Sequence, residues 1–167
     1  MRVYGVTGWK NAGKTGLMER LVAEFTARGM SVSTIKHAHH AVDVDQPGTD
    51  SYRHREAGAR EVVLASARRF AVMHELRDAE EPTLEALIAR LAPVDLVLVE
   101  GYKRAPHPKI EAYRAAAGHP LIAPESPSIR AVAADCEVDA PCPVLPLDDT
   151  GAIADFILAD LGLREAS

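Results

Sequence analysis

The stretch GWKNAGKT, Gly8 to Thr15, follows directly on the apolar run RVYGVT and constrains the fold more than any other part of the chain. Gly8-x4-Gly13-Lys14-Thr15 satisfies the Walker A spacing completely. Each residue type has a physical task. The glycines let successive backbone N–H groups curl around a phosphate with no Cβ in the way. A helix starting at the loop's end points its positive terminus at the anion. Lys14 can reach the β- and γ-phosphates and serve hydrolysis, and the Thr15 hydroxyl can ligate Mg²⁺. The expected nucleotide-binding set is therefore Gly8, Trp9, Lys10, Asn11, Ala12, Gly13, Lys14, Thr15 and Gly16.

The rest of the chain supplies the context such a loop needs. Arg2 to Thr7 reads as a strand, and Leu17, Leu21 and Phe25 recur at helical spacing up to a stop at Gly29. SVSTIK (Ser31 to Lys36) reads as a second strand, and DSYRHREAGA as a short helix capped near Thr49 or Asp50. EVVLAS and RRFAVMHEL read as strands, and Leu84, Leu87, Ile88 and Leu91 mark a helix with Thr83 as its cap. DLVLVEG is a nearly continuous apolar run, the pattern of a central parallel strand buried on both faces. IRAVAAD and PVLPL read as late strands, and Ile153, Phe156, Ile157 and Leu161 as a closing helix ending at Gly162. Alternating strands and helices predict a single α/β nucleotide-binding domain over residues 1–167, a three-layer P-loop NTPase sandwich with a mostly parallel sheet flanked by helices.

A phosphate loop works with an acid at the end of a nearby strand. Asp95 starts the DLVLVE strand and so lies at the wrong end of the sheet, whereas Glu100 ends it, where ligands of open α/β sheets gather. Thr15 and Glu100 are thus the expected metal-side pair, with glutamate in place of the usual aspartate. The polar segment from His37 to Thr49 carries His37, His39, His40, Asp43 and Asp45. It reads as a switch segment that meets the γ-phosphate, as a transition-metal site, or as a solvated loop. Asp50 follows it and is the candidate contact to the metal shell or the hydrolytic water. Asp135, at the end of AVAAD, either reads the base or caps a turn, and no Asn-Lys-x-Asp guanine motif is present.

Net charge and cysteine usage exclude several classes. A formal charge of -5 is wrong for a nonspecific nucleic-acid binder. No apolar run approaches the roughly 20 residues needed to cross a bilayer. The opening MRVYGVTGWK leaves no room for a signal peptide, so a cytoplasmic setting is expected. Cys136 and Cys142 form neither a disulfide framework nor a zinc pattern.

The combination VTGWKNAGKT, TIKHAHH, GTDSYRHREAGA, DLVLVEGYKRAPHPKIEAYR and PVLPLDDTGAIADFI resembles the molybdopterin-guanine dinucleotide biosynthesis protein B (MobB) group of P-loop proteins. The resemblance covers most of the chain in the same order. It implies a GTP-binding protein with weak intrinsic hydrolysis, usually a homodimer, with Thr15 and Glu100 near Mg²⁺. It also implies a supporting role beside a separate guanylyltransferase and other proteins of molybdenum cofactor maturation. A signature lysine directly after the first glycine, found in dimeric ATPases with a deviant Walker A loop, is replaced here by Trp9.

Two other functions share the phosphate loop. A small-molecule kinase or phosphate-activating ligase could use Lys103, Arg104, His107 and Lys109 to bind an anionic acceptor, with Arg68 and Arg69 as lid residues expected within a strand. A nickel-delivering GTPase would use the histidines.

Overall fold

The computed structural model describes residues 1–38 and 43–163, so His39 and His40 of the histidine segment lie outside the described residues. The chain divides into two compact units, Met1–His37 with Ile88–Ser167, and Ala38–Leu87.

The first unit is built on six strands: β1 (Arg2–Thr7), β2 (Val32–Lys36), β5 (Leu96–Glu100), β6 (Lys109–Tyr113), β7 (Ile129–Ala134) and β8 (Val144–Pro146). They lie in the order β2-β5-β1-β6-β7-β8, and every pair is parallel. All C-terminal strand ends therefore share one edge, and β1, which feeds the phosphate loop, sits between β5 and β6. Helices α1 (Lys14–Ala27) and α4 (Thr150–Asp160) pack together on one face. Leu17, Leu21, Phe25, Ile153 and Ile157 meet Tyr4, Val6, Leu96, Leu98, Ile110 and Ala133 in the main core. A smaller cluster joins Val132 and Ala134 to Ala123, in a 3₁₀ turn at Ala123–Glu125. At the N-terminal strand edge the Asp95 carboxylate accepts the Ser31 N–H and hydroxyl at 2.8 and 2.6 Å. Asp95 is thus a clasp between β5 and β2, away from the phosphate loop, as its place in the sequence implies.

One strand does not register in the sequence pattern. β6 reads KIEAY, with charges at alternate positions, yet Lys109 and Glu111 are fully buried. Their polar atoms are satisfied by backbone and hydroxyl groups of covering loops. Lys109 Nζ donates to the Ala105 carbonyl at 2.5 Å and the Ser128 hydroxyl at 2.8 Å. Glu111 accepts the Ile122 N–H at 2.8 Å and the Ala123 N–H at 2.8 Å.

The second unit holds α2 (Asp50–Glu56), capped by Thr49, and an antiparallel hairpin of β3 (Glu61–Ala65) and β4 (Phe70–His74). Arg68 and Arg69 lie in the hairpin turn, not in a strand as their apolar neighbours suggested. Arg55 organises the unit. It pairs with Asp43 at 2.8 Å, Glu75 at 2.7 Å and Asp45 at 3.4 Å. Asp45 Oδ1 also accepts from the Thr49 and Ser51 hydroxyls at 3.0 Å each. Helix α3 (Leu84–Ile88) starts at Thr83, whose hydroxyl accepts the Ala86 N–H.

Candidate nucleotide-binding site

The phosphate loop leaves β1 at Gly8 and enters α1 at Gly13. Helix α1 has no side-chain cap and no acid in its first turn, so its leading N–H groups stay available to an anion. Gly8 and Gly13 are required by space as well as by conformation. At Gly8 (φ 142°) a Cβ would sit 2.4 Å from the Ala112 carbonyl oxygen of β6. At Gly13 (φ 92°) it would sit 2.8 Å from Arg114 Nε and 3.5 Å from Leu147 Cδ2. Asn11 turns the loop with a positive φ of 65°, a conformation asparagine tolerates better than most residues.

Lys14, Thr15 and Glu100 come together at this edge. The Lys14 ammonium donates to the Trp9 carbonyl at 2.6 Å, curled against its own loop, and burial lowers its pKa from the ordinary value. The Thr15 hydroxyl donates to Glu100 Oε1 at 3.2 Å, and Lys36 Nζ lies 3.7 Å from the same oxygen. Glu100 is only 8% exposed, so its carboxylate is held beneath the loop by β5. A hydroxyl and a carboxylate are hard oxygen donors, the type that suits Mg²⁺. Among the described residues no cluster of His, Cys, Asp and Glu offers a denser ligand set.

Trp9 acts differently from the other loop residues. Its indole N–H donates to the Pro120 carbonyl at 2.8 Å, Lys103 Nζ stands 3.7 Å from the ring centroid, and His119 stacks at 5.2 Å. This ties the loop to the segments after β5 and β6. It also occupies Lys103, and Lys109 is buried in its own bonds, so two of the four expected acceptor-binding residues are taken up inside the fold. Lys10 and Gly16 are exposed.

Asp135 follows β7 on the same edge. Its Oδ1 accepts the Ala115 N–H at 2.9 Å and its own N–H donates to the Tyr113 carbonyl at 3.3 Å, so it pins the chain leaving β6. Asp50 belongs to the second unit, where it opens α2 with a solvated carboxylate 3.9 Å from Arg53. Asp43 and Asp45 are engaged by Arg55. His37 donates its backbone N–H to the Glu100 carbonyl, and its ring lies 4.7 Å from that of Tyr102.

Sequence reasoning missed Arg114, whose stem packs against Gly13. Its one visible signal was its place directly after PKIEAY, which required recognising that segment as a strand.

The family model described as molybdopterin guanine dinucleotide synthesis protein B matches residues 3–135. The chain belongs to the MobB family. Its MobB relatives include the molybdopterin-guanine dinucleotide biosynthesis adapter protein of Escherichia coli, 40% identical over 90% of this chain and 87% of that protein. The protein of the same description from Haemophilus influenzae is 40% identical over 93% of this chain and 86% of its own length. Among solved structures, the MobB homolog from Bacillus stearothermophilus is 29% identical with a TM-score of 0.68, covering 98% of this chain and all (100%) of its own. A crystal structure of molybdopterin-guanine biosynthesis protein B gives a TM-score of 0.75 at 26% identity, covering 96% and 99%. The MobB match contains the phosphate loop, Glu100, Arg114 and Asp135, while β8 and α4 lie beyond it.

Proposed function

We propose that this chain binds GTP with Mg²⁺ and serves as an accessory protein of molybdenum cofactor maturation, working beside a guanylyltransferase rather than transferring GMP itself. The observation that carries this reading is the Thr15–Glu100 pair beneath an uncapped helix start, with Lys14 in the same loop. The relatives named as adapter proteins support the role, and the resemblance to the family supports guanine as the base. Phosphate would replace the Trp9 carbonyl as the partner of Lys14, and Thr15 and Glu100 would hold Mg²⁺, which neutralises phosphate charge. Any hydrolysis is weak on this reading. GTP supply and the enzymes of nucleotide transfer fit a cytoplasmic location, and among the described residues no helix is long and apolar enough to cross a membrane.

The reading includes a homodimer. One face of the hairpin presents Val63 and Val72 opposite one another, with Phe70 beside them, at 61%, 52% and 71% exposure. An apolar face of this kind suits a second copy of the chain.

The test of the adapter role is complex formation. Size-exclusion chromatography of the chain with a purified molybdenum cofactor guanylyltransferase should give a joint peak with GTP and Mg²⁺ that weakens with GDP. Separate elution under both conditions, with no change in the transferase rate, would contradict the role.

A further inference from the structure

Arg114 stands on the sheet edge with no counter-ion among the described residues. It follows β6 directly, and its side chain lies against Gly13, the residue that starts α1. Its Nε is buried with no hydrogen-bond partner, and among the described residues its guanidinium takes part in no hydrogen bond or ion pair. By contrast Arg20, Arg28, Arg55 and Arg130 all have carboxylate partners. A guanidinium beside a phosphate loop, with its Nε shielded and unmatched, is suited to complete its hydrogen bonds with an anion.

The strand order says which part of a nucleotide would meet it. Thr15, Lys36 and Glu100 gather on the β5 side of β1, which fixes the metal and the terminal phosphates there. Arg114 stands on the other side of β1, beyond Gly13 and towards β7 and β8, with Leu147 at the end of β8 also touching the Gly13 position. A triphosphate laid along this edge therefore runs its nucleoside end across β6. The Asp135 bonds to Ala115 and Tyr113 fix the backbone on both sides of Arg114.

We infer that Arg114 binds the α-phosphate of the guanine nucleotide, and that Asp135 is a positioning residue for it rather than a reader of the base. The inference deepens the proposed function and rests on it.

Isothermal titration with GTP, GDP and pyrophosphate, on wild-type protein and on Arg114→Ala and Arg114→Lys, tests it. For Arg114→Ala the affinity for GTP and for GDP should fall by the same factor, at least about tenfold, the effect of losing one charge-assisted contact. Pyrophosphate, which reaches only the Lys14 side, should bind as in the wild type. Arg114→Lys keeps the stem against Gly13 without the planar fork and should fall between the two, which keeps the test open if the alanine variant does not fold. Asp135→Ala, which removes the acceptor of the Ala115 N–H, should weaken GTP and GDP equally and leave the guanine-over-adenine preference unchanged. Unchanged nucleotide affinity in both Arg114 variants, a loss confined to GTP, or an equal loss for pyrophosphate would each overturn the assignment. Wild-type protein that binds none of the three ligands would overturn the proposed function first.

Discussion

β5 and β6 flank the same central strand, are buried almost throughout, and end at the same edge, yet their sequences have little in common. β5 reads LVLVE, with apolar side chains on both faces and one acid at its tip. β6 reads KIEAY: Ile110 and Ala112 face the helices, whereas Lys109 and Glu111 face loops. What differs is the cover. A strand packed under apolar side chains must itself be apolar, but one covered by irregular chain meets free backbone N–H and C=O groups and can satisfy charges with them. The tips differ accordingly. β5 delivers Glu100 beneath Thr15 at the start of α1, and β6 delivers Arg114 to the other side of β1.

The comparison breaks most readily at Glu111. Replacing Glu111 by Ala strands two buried N–H groups and should cost about 3 kcal/mol in urea unfolding, as much as a Leu98→Ala cavity in β5. Glu111→Gln, which keeps one acceptor, should recover about half. A cost below roughly 1 kcal/mol for Glu111→Ala would mean that water replaces the carboxylate and that β6 is not anchored in this way.

Next comes the contact between the loop and the β6 tip. Gly13→Ala forces a Cβ into a left-handed backbone and onto Arg114, so it should cost about 2 kcal/mol and remove nucleotide-induced stabilisation. Full nucleotide response in that variant would show that Arg114 does not need its place against Gly13. On the β5 side, Glu100→Gln should lower Mg²⁺-dependent GTP affinity about tenfold, roughly 1.4 kcal/mol, while leaving metal-free affinity nearly unchanged. Equal losses with and without Mg²⁺ would assign Glu100 to the loop's structure instead.

A further effect is in pH. Burial pushes Lys109 down to about 8 from its ordinary 10.5, so between these values the unfolded chain holds more protons than the folded one. Its contribution to stability therefore rises with pH across that window, by at most about 1.4 kcal/mol per unit. The wild type should gain on Lys109→Met between pH 8 and 10 in parallel denaturations. A constant difference would mean that Lys109 keeps its charge at an ordinary pKa.

The same contrast explains what could be read in advance. Phosphate-loop glycines, the continuous run of β5 and the stripe of α1 carry their signals locally, because backbone freedom and apolar burial fix residue type one position at a time. Glu100 was legible because it ends such a run, and the Thr15 hydroxyl donates to it. β6 was not legible, since its partners Ile122, Ala123, Ala105 and Ser128 are far enough away that no window shows charges being satisfied. Arg114 disappeared with it. Asp43 and Asp45 looked like open acids in a polar loop, and only folding brings Arg55 and Glu75 to make them a closed cluster.

The central claim is a guanine-nucleotide site in which Lys14 grips the phosphates, and a thermal-shift panel tests it most directly. With Mg²⁺, GTP and GDP at 100 times their dissociation constants should each add about 2.7 kcal/mol to wild-type stability. Lys14→Ala, folded as before, should show almost none of that gain. Stabilisation by ATP without stabilisation by GTP, or an undiminished GTP response in Lys14→Ala, would contradict the account.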